Sequence, residues 1–126
     1  MNIDKIRQVA LRSDNLDQSV NFYQNILDAT LMGRFGPPGI ALFNFSSTRV
    51  LLEPDGPIST IYFWVDDIDE ACASLQDKGV TVGAPEVIFE NDSGIFEPAG
   101  EAEILAFFED PSGNTLAFAS RSQPVD

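Results

Sequence analysis

The sequence predicts an α+β fold made of two tandem modules, each with the element order β-α-β-β-β. Two observations predict it: an internal repeat, and a change from alternating to helical spacing at the same point of each copy. We expect the 126 residues to form a single domain, 1–126. Module 1 covers about 1–54 and module 2 about 58–120, joined by a Pro- and Gly-containing linker.

The repeat pairs residues 9–20 with residues 61–72 at a constant offset of 52. In each copy the alternation of a strand ends at a capping pair, Asn15 with Gln18 and then Asp67 with Glu70. A side-chain oxygen at the N-cap accepts from the amide three residues on, so each pair predicts a helix start.

Two amphipathic helices follow these caps. Apolar side chains recur at helical spacing in both copies: Leu16, Val20, Tyr23 and Leu27 in the first, and Ile68, Cys72 and Leu75 in the second. The second helix is predicted to end at Gly79. The first ends near Leu27, so that Asp28 takes a conformation that glycine prefers.

Short alternating segments predict the remaining strands. They lie near 30–35, 39–45 and 48–53 in module 1, and near 80–86, 102–109 and 114–120 in module 2. Residues 110–114 form a tight turn between the last two. Residues 87–101 form a longer loop, either a lid or binding loop or a plain surface excursion, and the tail 120–126 is expected to fray.

The charge and the absence of histidine exclude several classes of function. Twenty acidic and seven basic residues give a net charge of −13, which repels nucleic acid and anionic lipid and favours cationic ligands or solubility. Without histidine, Ser-His-Asp and Cys-His catalysis and every His-containing metal site are excluded.

Three features of the sequence bear on the cellular compartment of the protein. There is one cysteine, no apolar run of about 18 residues and no apolar signal core near the N-terminus. We therefore expect a cytoplasmic protein with no membrane partner and no internal disulfide.

The chain resembles the vicinal oxygen chelate superfamily of glyoxalase I, bleomycin-resistance proteins and extradiol dioxygenases. The similarity lies in residues 9–17, 22–27, 63–69 and 78–80 and in the run Phe108 to Asn114, whose DPSGN resembles the family's DPxGN turn. The resemblance covers nearly the whole chain. It implies paired βαβββ modules whose mixed sheets curl around a shared cleft, a homodimer, and a small-molecule ligand or substrate.

The resemblance also implies where metal ligands would lie. The family's two histidine positions fall on Gln8 and Thr60, which are again 52 residues apart. Its acidic positions fall on Ala117 and on either Leu51 or Glu53. Because a first-row divalent ion needs at least three strong donors, we expect no metal and no cofactor here.

Strand alternation sorts side chains between a helix-covered face and the cleft. It assigns to the cleft Gln8, Arg12, Leu51, Glu53, Thr60, Tyr62, Trp64, Thr115 and Ala117. Trp64 is a candidate platform for a cationic or aromatic ring, although Tyr62 and Trp64 also suit a dimer interface or a closed core. Arg12 would meet a ligand carboxylate or pair with Glu53.

Two other groups have structural explanations. Cys72 lies on the inward helix face, which favours a buried structural thiol. The acidic group at residues 66, 67, 69 and 70 is explained by helix capping, and its spacing lacks the calcium-loop pattern.

These observations favour a metal-free protein that sequesters a small, partly apolar or cationic compound, as antibiotic-resistance relatives do. The enzyme alternative is a glyoxalase-type lyase or related enzyme with atypical ligands, or a reaction in which Glu53 acts as a general base. A third alternative is a structural or regulatory module that acts through its dimer interface.

Overall fold

The computed structural model describes residues 1–37, 39–89 and 102–121, without the side chains of residues 88 and 89. The chain divides into two compact units. One consists of Met1–Ser59 with Asp110–Asn114, and the other of Thr60–Glu109 with Thr115–Asp126. The predicted fold class of two tandem β-α-β-β-β modules is confirmed, and the predicted module bounds stay predictions. The single domain and the shared cleft stay predictions.

The first unit holds a four-stranded sheet and one helix. Its strands are β1 (Gln8–Arg12), β2 (Thr30–Phe35), β3 (Ile40–Phe45) and β4 (Thr48–Glu53), and helix α1 (Leu16–Asn21) continues into a π-helical turn, Phe22–Ile26. The strand order is β1-β4-β3-β2. β1 runs parallel to β4, and the other pairs are antiparallel.

The second unit repeats this arrangement in its described residues. Its strands are β5 (Thr60–Trp64), β6 (Glu86–Phe89), β7 (Glu103–Glu109) and β8 (Thr115–Arg121), with helix α2 (Ile68–Asp77). The strand order is β5-β8-β7-β6, with β5 parallel to β8. β1 and β5 begin 52 residues apart, as the sequence repeat predicts.

Both predicted helix starts are confirmed. The Asn15 side chain accepts from the Gln18 amide at 3.1 Å, and the Asp67 side chain accepts from the Glu70 amide at 3.1 Å. The predicted ends are confirmed too, because Asp28 takes φ of 58° and Gly79 takes φ of 83° in the left-handed region.

The first helix differs from the prediction in its last turn. Leu27 donates to the carbonyl of Phe22, five residues back, at 3.0 Å. The wider turn lets two adjacent aromatic side chains, Phe22 and Tyr23, both point into the core, where their rings meet edge to face at 5.5 Å.

Each helix covers one face of its own sheet. In the first unit, Val20 and Tyr23 pack over Leu11, Phe43 and Leu52, all buried. In the second unit, the α2 side chains Ile68, Cys72 and Leu75 are buried on the same side as Leu116 and Phe118. This sorting leaves the opposite face of each sheet to carry the candidate site residues.

The strand predicted near 80–86 is wrong. Among residues 80–85 a single bond reaches the sheet, from the Gly83 amide to the carbonyl of Phe107 at 2.9 Å. Pro85 has no amide hydrogen to continue a ladder, so the strand begins at Glu86. The predicted 87–101 loop lies mostly outside the described residues, and β8 extends to Arg121, into the tail that was expected to fray.

No helix within the described ranges is long and apolar enough to cross a membrane.

Candidate functional site

The predicted site residues of module 1 share the face of the first sheet opposite α1. Gln8 lies beside Arg49, Ala10 beside Leu51, and Arg12 beside Glu53 in the parallel β1–β4 pair. Gln8 and Arg12 are exposed, while Leu51 and Glu53 are half-buried. These four side chains therefore lie on one surface, as the alternation of the strands predicts, and their roles stay predictions.

Arg12 and Glu53 are neighbours in register, but the ion pair seen is a different one. Arg12 Nε lies 3.7 Å from the carboxylate of Asp14. Both side chains are largely exposed, so solvent screening leaves this pair little influence on stability. The Glu53 carbonyl accepts from the Ser13 amide at 2.9 Å, which fixes the end of β4.

The predicted site residues of module 2 share the open face of the second sheet. Thr60 lies beside Thr115, Tyr62 beside Ala117, and Trp64 beside Ala119. Ala117 also lies beside Phe107 on β7, so Tyr62 and Phe107 flank the alanine. Their rings meet edge to face at 6.0 Å, and Ala117 between them is fully buried.

Three aromatic side chains on this face remain open to solvent. Tyr62 is 56% exposed, Trp64 54% and Phe107 41%. We call these three residues the aromatic strip. The buried Ala119 and Leu105 lie on the same face beside it. Exposed large aromatic groups that lie together are uncommon unless something covers them.

A cation already lies over Trp64. The guanidinium carbon of Arg121 is 5.2 Å from the centre of the indole ring. These two residues, with Asp66 and Ser120, line a cavity of about 220 Å³. The chain itself thus places a cation over Trp64, and the role of this side chain as a platform for a ligand stays a prediction. Arg121 is not among the predicted site residues because the sequence predicts a fraying tail from residue 120. Phe107 is not among them either, although the alternation within residues 103–109 places it on the same face as Leu105.

The DPSGN turn is a buried polar network of the first unit. The Asp110 carboxylate accepts four hydrogen bonds: from the Tyr23 hydroxyl at 2.6 Å, the Asn114 side chain at 2.8 Å, and the amides of Ser112 and Asn114, both at 2.9 Å. Such a set of donors satisfies a buried carboxylate without a cation. The turn is therefore structural.

Asn114 joins this turn to the end of β1 and to Ser59, the last residue of the segment Met1–Ser59. Its side-chain amide donates to the Arg12 carbonyl at 2.8 Å, and its oxygen accepts from the Ser59 amide at 2.9 Å. Ser112 Oγ accepts from the Asp14 amide at 2.9 Å. A five-residue stretch far along the sequence thus completes the first unit, which no local pattern shows.

Two titratable side chains are held in their neutral forms. Burial raises the pKa of Tyr23, and the negative charge of Asp110 and the hydrogen bond to it raise the pKa further. Burial also raises the pKa of the Cys72 thiol, with a second contribution from the charge of Asp69. The inward placement of Cys72 predicted from its helical spacing is confirmed.

Three members of the acidic group at the start of α2 line a cavity of about 280 Å³ together with Val65, Ala71 and Ser74; they are Asp66, Asp67 and Glu70. Asp67 caps the helix, as predicted, and Asp69 and Glu70 lie in its first turn. Negative charge there is favourable, because the first amides of the helix point toward it.

Comparison with protein families matches residues 5–118 to the model described as "Glyoxalase/Bleomycin resistance protein/Dioxygenase superfamily". The chain belongs to this superfamily. Comparison of the sequence with curated proteins gave no significant match.

Solved structures share the superfamily fold over almost the whole chain. The antibiotic-binding protein TnmS3 from Streptomyces sp. CB03234 is 21% identical with a TM-score of 0.74, over 97% of this chain and 99% of that one. Lactoylglutathione lyase from Agrobacterium tumefaciens is 20% identical with a TM-score of 0.70, over 95% and 96%. An integron cassette protein from the Halifax Harbour sewage outfall metagenome is 24% identical with a TM-score of 0.71, over 94% and 99%.

The metal positions that the superfamily resemblance implies do not fit a metal ion. In the first unit, Gln8 and Glu53 lie at opposite ends of the β1–β4 pair, about 13 Å apart along the strands. In the second unit, Thr60 and Ala117 offer a hydroxyl and a methyl group. Among the described residues, no three His, Cys, Asp or Glu side chains are grouped to hold a metal. We therefore derive no catalytic step through one.

Proposed function

We propose that this superfamily member is a binding protein that takes up a small, planar, largely apolar molecule on its aromatic strip, without a metal ion. The observation that carries the proposal is the exposure of Tyr62, Trp64 and Phe107 on one face of the second sheet. A planar ligand laid on these rings covers apolar surface that water otherwise contacts, and stacking adds about 0.5–1.5 kcal/mol for each aromatic pair.

The position of Arg121 argues against a cationic ligand at Trp64. A ligand cation would approach the guanidinium that already lies 5.2 Å from the ring centre. The net charge of −13 attracts cations over longer distances, but salt screens that field within about 8 Å at physiological ionic strength. The near repulsion therefore outweighs the distant attraction, and a neutral planar molecule fits better.

Two further observations support binding rather than catalysis. The residues at the superfamily's metal positions are poor donors, as described above. The structure of TnmS3, an antibiotic-binding protein, shares the fold over nearly the whole chain. Micromolar affinity corresponds to about −8 kcal/mol, which requires contact with more than one ring of the strip.

Two naphthalenes test the proposal, because the same ring system can be given once without charge and once with a positive charge. We expect 2-naphthylmethanol to bind in the micromolar range, and 2-naphthylmethylammonium to bind more weakly. Trp64 is the only tryptophan, so its emission and its indole N–H resonance report on the strip alone. Calorimetry gives the affinity independently of fluorescence.

Two variants make this test specific. Phe107→Ala removes part of the strip while leaving the Trp64 reporter, and we expect it to weaken binding about tenfold. Val87→Ala shortens an exposed apolar side chain on the opposite face of the same sheet and serves as the control. No Trp64 response to any of the naphthalenes at millimolar concentration, or equal losses in the two variants, would contradict the proposal.

The second candidate function is a glyoxalase-type lyase, prompted by the fold shared with the Agrobacterium enzyme. Metal analysis of the purified protein separates the two, because stoichiometric Zn, Ni, Mn or Fe would favour the enzyme. The role of Glu53 as a general base, the homodimer and the cytoplasmic location stay predictions. Sedimentation analysis tests the homodimer directly.

A further inference from the structure

We propose that Arg121 gates the aromatic strip: its guanidinium leaves the indole of Trp64 when a neutral ring binds there, and its charge rejects a cationic ring. Arg121 is thus the residue that sets the class of ligand. The inference rests on the proposed function and adds to it the side chain that has to move.

The guanidinium of Arg121 and a ligand ring on Trp64 need the same space. The guanidinium carbon lies 5.2 Å from the centre of the indole ring. Aromatic rings that stack or meet edge to face have their centres about 4.5–7 Å apart. A ligand ring can therefore occupy this face of Trp64 only after the guanidinium has moved away.

The backbone at this end of β8 is held in place, so only the side chain of Arg121 has to move. The Val65 amide donates to the Ala119 carbonyl at 2.9 Å, and the Ser120 hydroxyl donates to the Asp66 carbonyl at 3.3 Å. Arg121 itself is exposed, and a cation–π contact at an exposed site is weak. Displacing the guanidinium therefore costs a ligand about two- to fivefold in affinity.

Two carboxylates can hold the guanidinium when it leaves the indole. Asp66 lines the same cavity of about 220 Å³ as Trp64 and Arg121. Glu103 on β7 lies directly opposite Arg121 in the antiparallel β7–β8 pair, where β-carbons are about 4.5–5.5 Å apart. The planar fork of a guanidinium matches a carboxylate, so the displaced side chain has a favourable position beside the strip.

The charge of Arg121 stays beside the strip in both positions, and this selects the ligand. A neutral ring meets no repulsion from a guanidinium that Asp66 or Glu103 holds. A ring with an ammonium group is repelled by the guanidinium and competes with it for the same two carboxylates. Without the guanidinium, these carboxylates would attract the ammonium group instead. Loss of the charge at position 121 should therefore favour a cationic ligand more than a neutral one.

Arg121→Gln tests the gate, because it removes the charge and leaves a polar side chain at the same position. We expect 2-naphthylmethanol to bind this variant about two- to fivefold more tightly than the natural chain. We expect 2-naphthylmethylammonium to gain at least about tenfold, so that the preference for the neutral ligand is reduced or lost. Calorimetry measures both affinities, because the substitution itself changes the surroundings of Trp64.

Arg34→Gln is the matched control. It changes the net charge by the same amount, but Arg34 lies in the first unit, where it pairs with Asp17 at 2.7 Å. We expect it to keep both affinities within about twofold. Arg121→Lys keeps the positive charge and should keep the preference for 2-naphthylmethanol over the ammonium compound.

Nuclear Overhauser contacts follow the movement of the guanidinium in the natural chain. We expect contacts between the Arg121 side chain and the indole protons of Trp64 in the free protein, and their loss at saturation with 2-naphthylmethanol. Contacts that persist at saturation would overturn the inference, because the ligand would then bind without displacing Arg121.

The affinities separate this inference from the proposed function. A gain for the ammonium compound that is confined to Arg121→Gln supports the gate. Binding of 2-naphthylmethanol that is weakened by Phe107→Ala, with the same preference between the two naphthalenes in Arg121→Gln as in the natural chain, overturns the gate and leaves the proposed function standing. Equal gains in Arg121→Gln and Arg34→Gln also overturn it, because net charge alone would explain them. Absence of binding to every variant at millimolar concentration overturns both.

Discussion

The hydroxyl of Tyr23 offers the sharpest test of how the first unit is held together. Tyr23→Phe keeps the buried ring and its contacts with Phe22 and Phe43, and removes the 2.6 Å hydrogen bond to Asp110. The carboxylate then keeps three of its four donors. A buried hydrogen bond to a charged group contributes about 1.5–3 kcal/mol, so we expect the free energy of unfolding to fall by that amount.

Urea unfolding followed by far-ultraviolet circular dichroism measures this change, and Trp64 emission follows the second unit separately. The chain provides a matched control in its other tyrosine. Tyr62→Phe removes a hydroxyl from a side chain that is half exposed, and we expect a change within about 0.5 kcal/mol. Equal free energies of unfolding for Tyr23→Phe and the natural chain would refute the structural role of the network.

The pH dependence of the free energy of unfolding tests the role of Tyr23 in a second way. Above pH 10.0, the ordinary pKa of tyrosine, the unfolded chain releases the phenol proton while the folded chain retains it, because burial raises the pKa of Tyr23. The stability that comes from keeping Tyr23 protonated in the folded chain is fully present below pH 10.0. Above pH 10.0 the free energy of unfolding falls by up to about 1.4 kcal/mol per pH unit. Tyr23→Phe should lack this part of the slope, and Tyr62→Phe should keep it.

Three further predictions concern local features. Asp67→Ala removes the N-cap of α2 and should cost about 1 kcal/mol in urea unfolding, whereas Asp69→Ala in the first turn should cost less than about 0.5 kcal/mol. Gly56→Ala would place a methyl carbon 2.6 Å from the Leu11 carbonyl oxygen, so we expect a loss of about 1–3 kcal/mol, and an unchanged melting temperature would contradict the contact. The buried Cys72 thiol should react with a disulfide reagent at least about tenfold more slowly in the native state than in urea, and equal rates would show that it is accessible.

The features predicted correctly are those that depend on interactions between residues close together in the sequence. An N-cap needs an oxygen acceptor and an amide three residues later, so Asn15 and Asp67 indicate helix starts by themselves. The repeat then relates the two modules. The alternation of the strands similarly sorts side chains between the two faces of each sheet, because successive residues must point to opposite sides.

The features missed depend on residues that are distant in sequence. Residues 80–86 alternate like a strand, but the ladder with β7 begins at Glu86, after Pro85. The hydrogen bond between Tyr23 and Asp110 joins positions 87 residues apart, and helical spacing identifies Tyr23 only as an inward-facing ring. The contact of Arg121 with Trp64 likewise depends on how far β8 extends.

The central claim is that a planar molecule binds the aromatic strip without the help of a metal ion. A titration of the Trp64 emission with 2-naphthylmethanol tests it most directly, carried out once in excess EDTA and once with added Zn²⁺ or Ni²⁺. We predict the same micromolar affinity in both conditions. Binding that appears only after metal is added, or no binding in either condition, would contradict the claim.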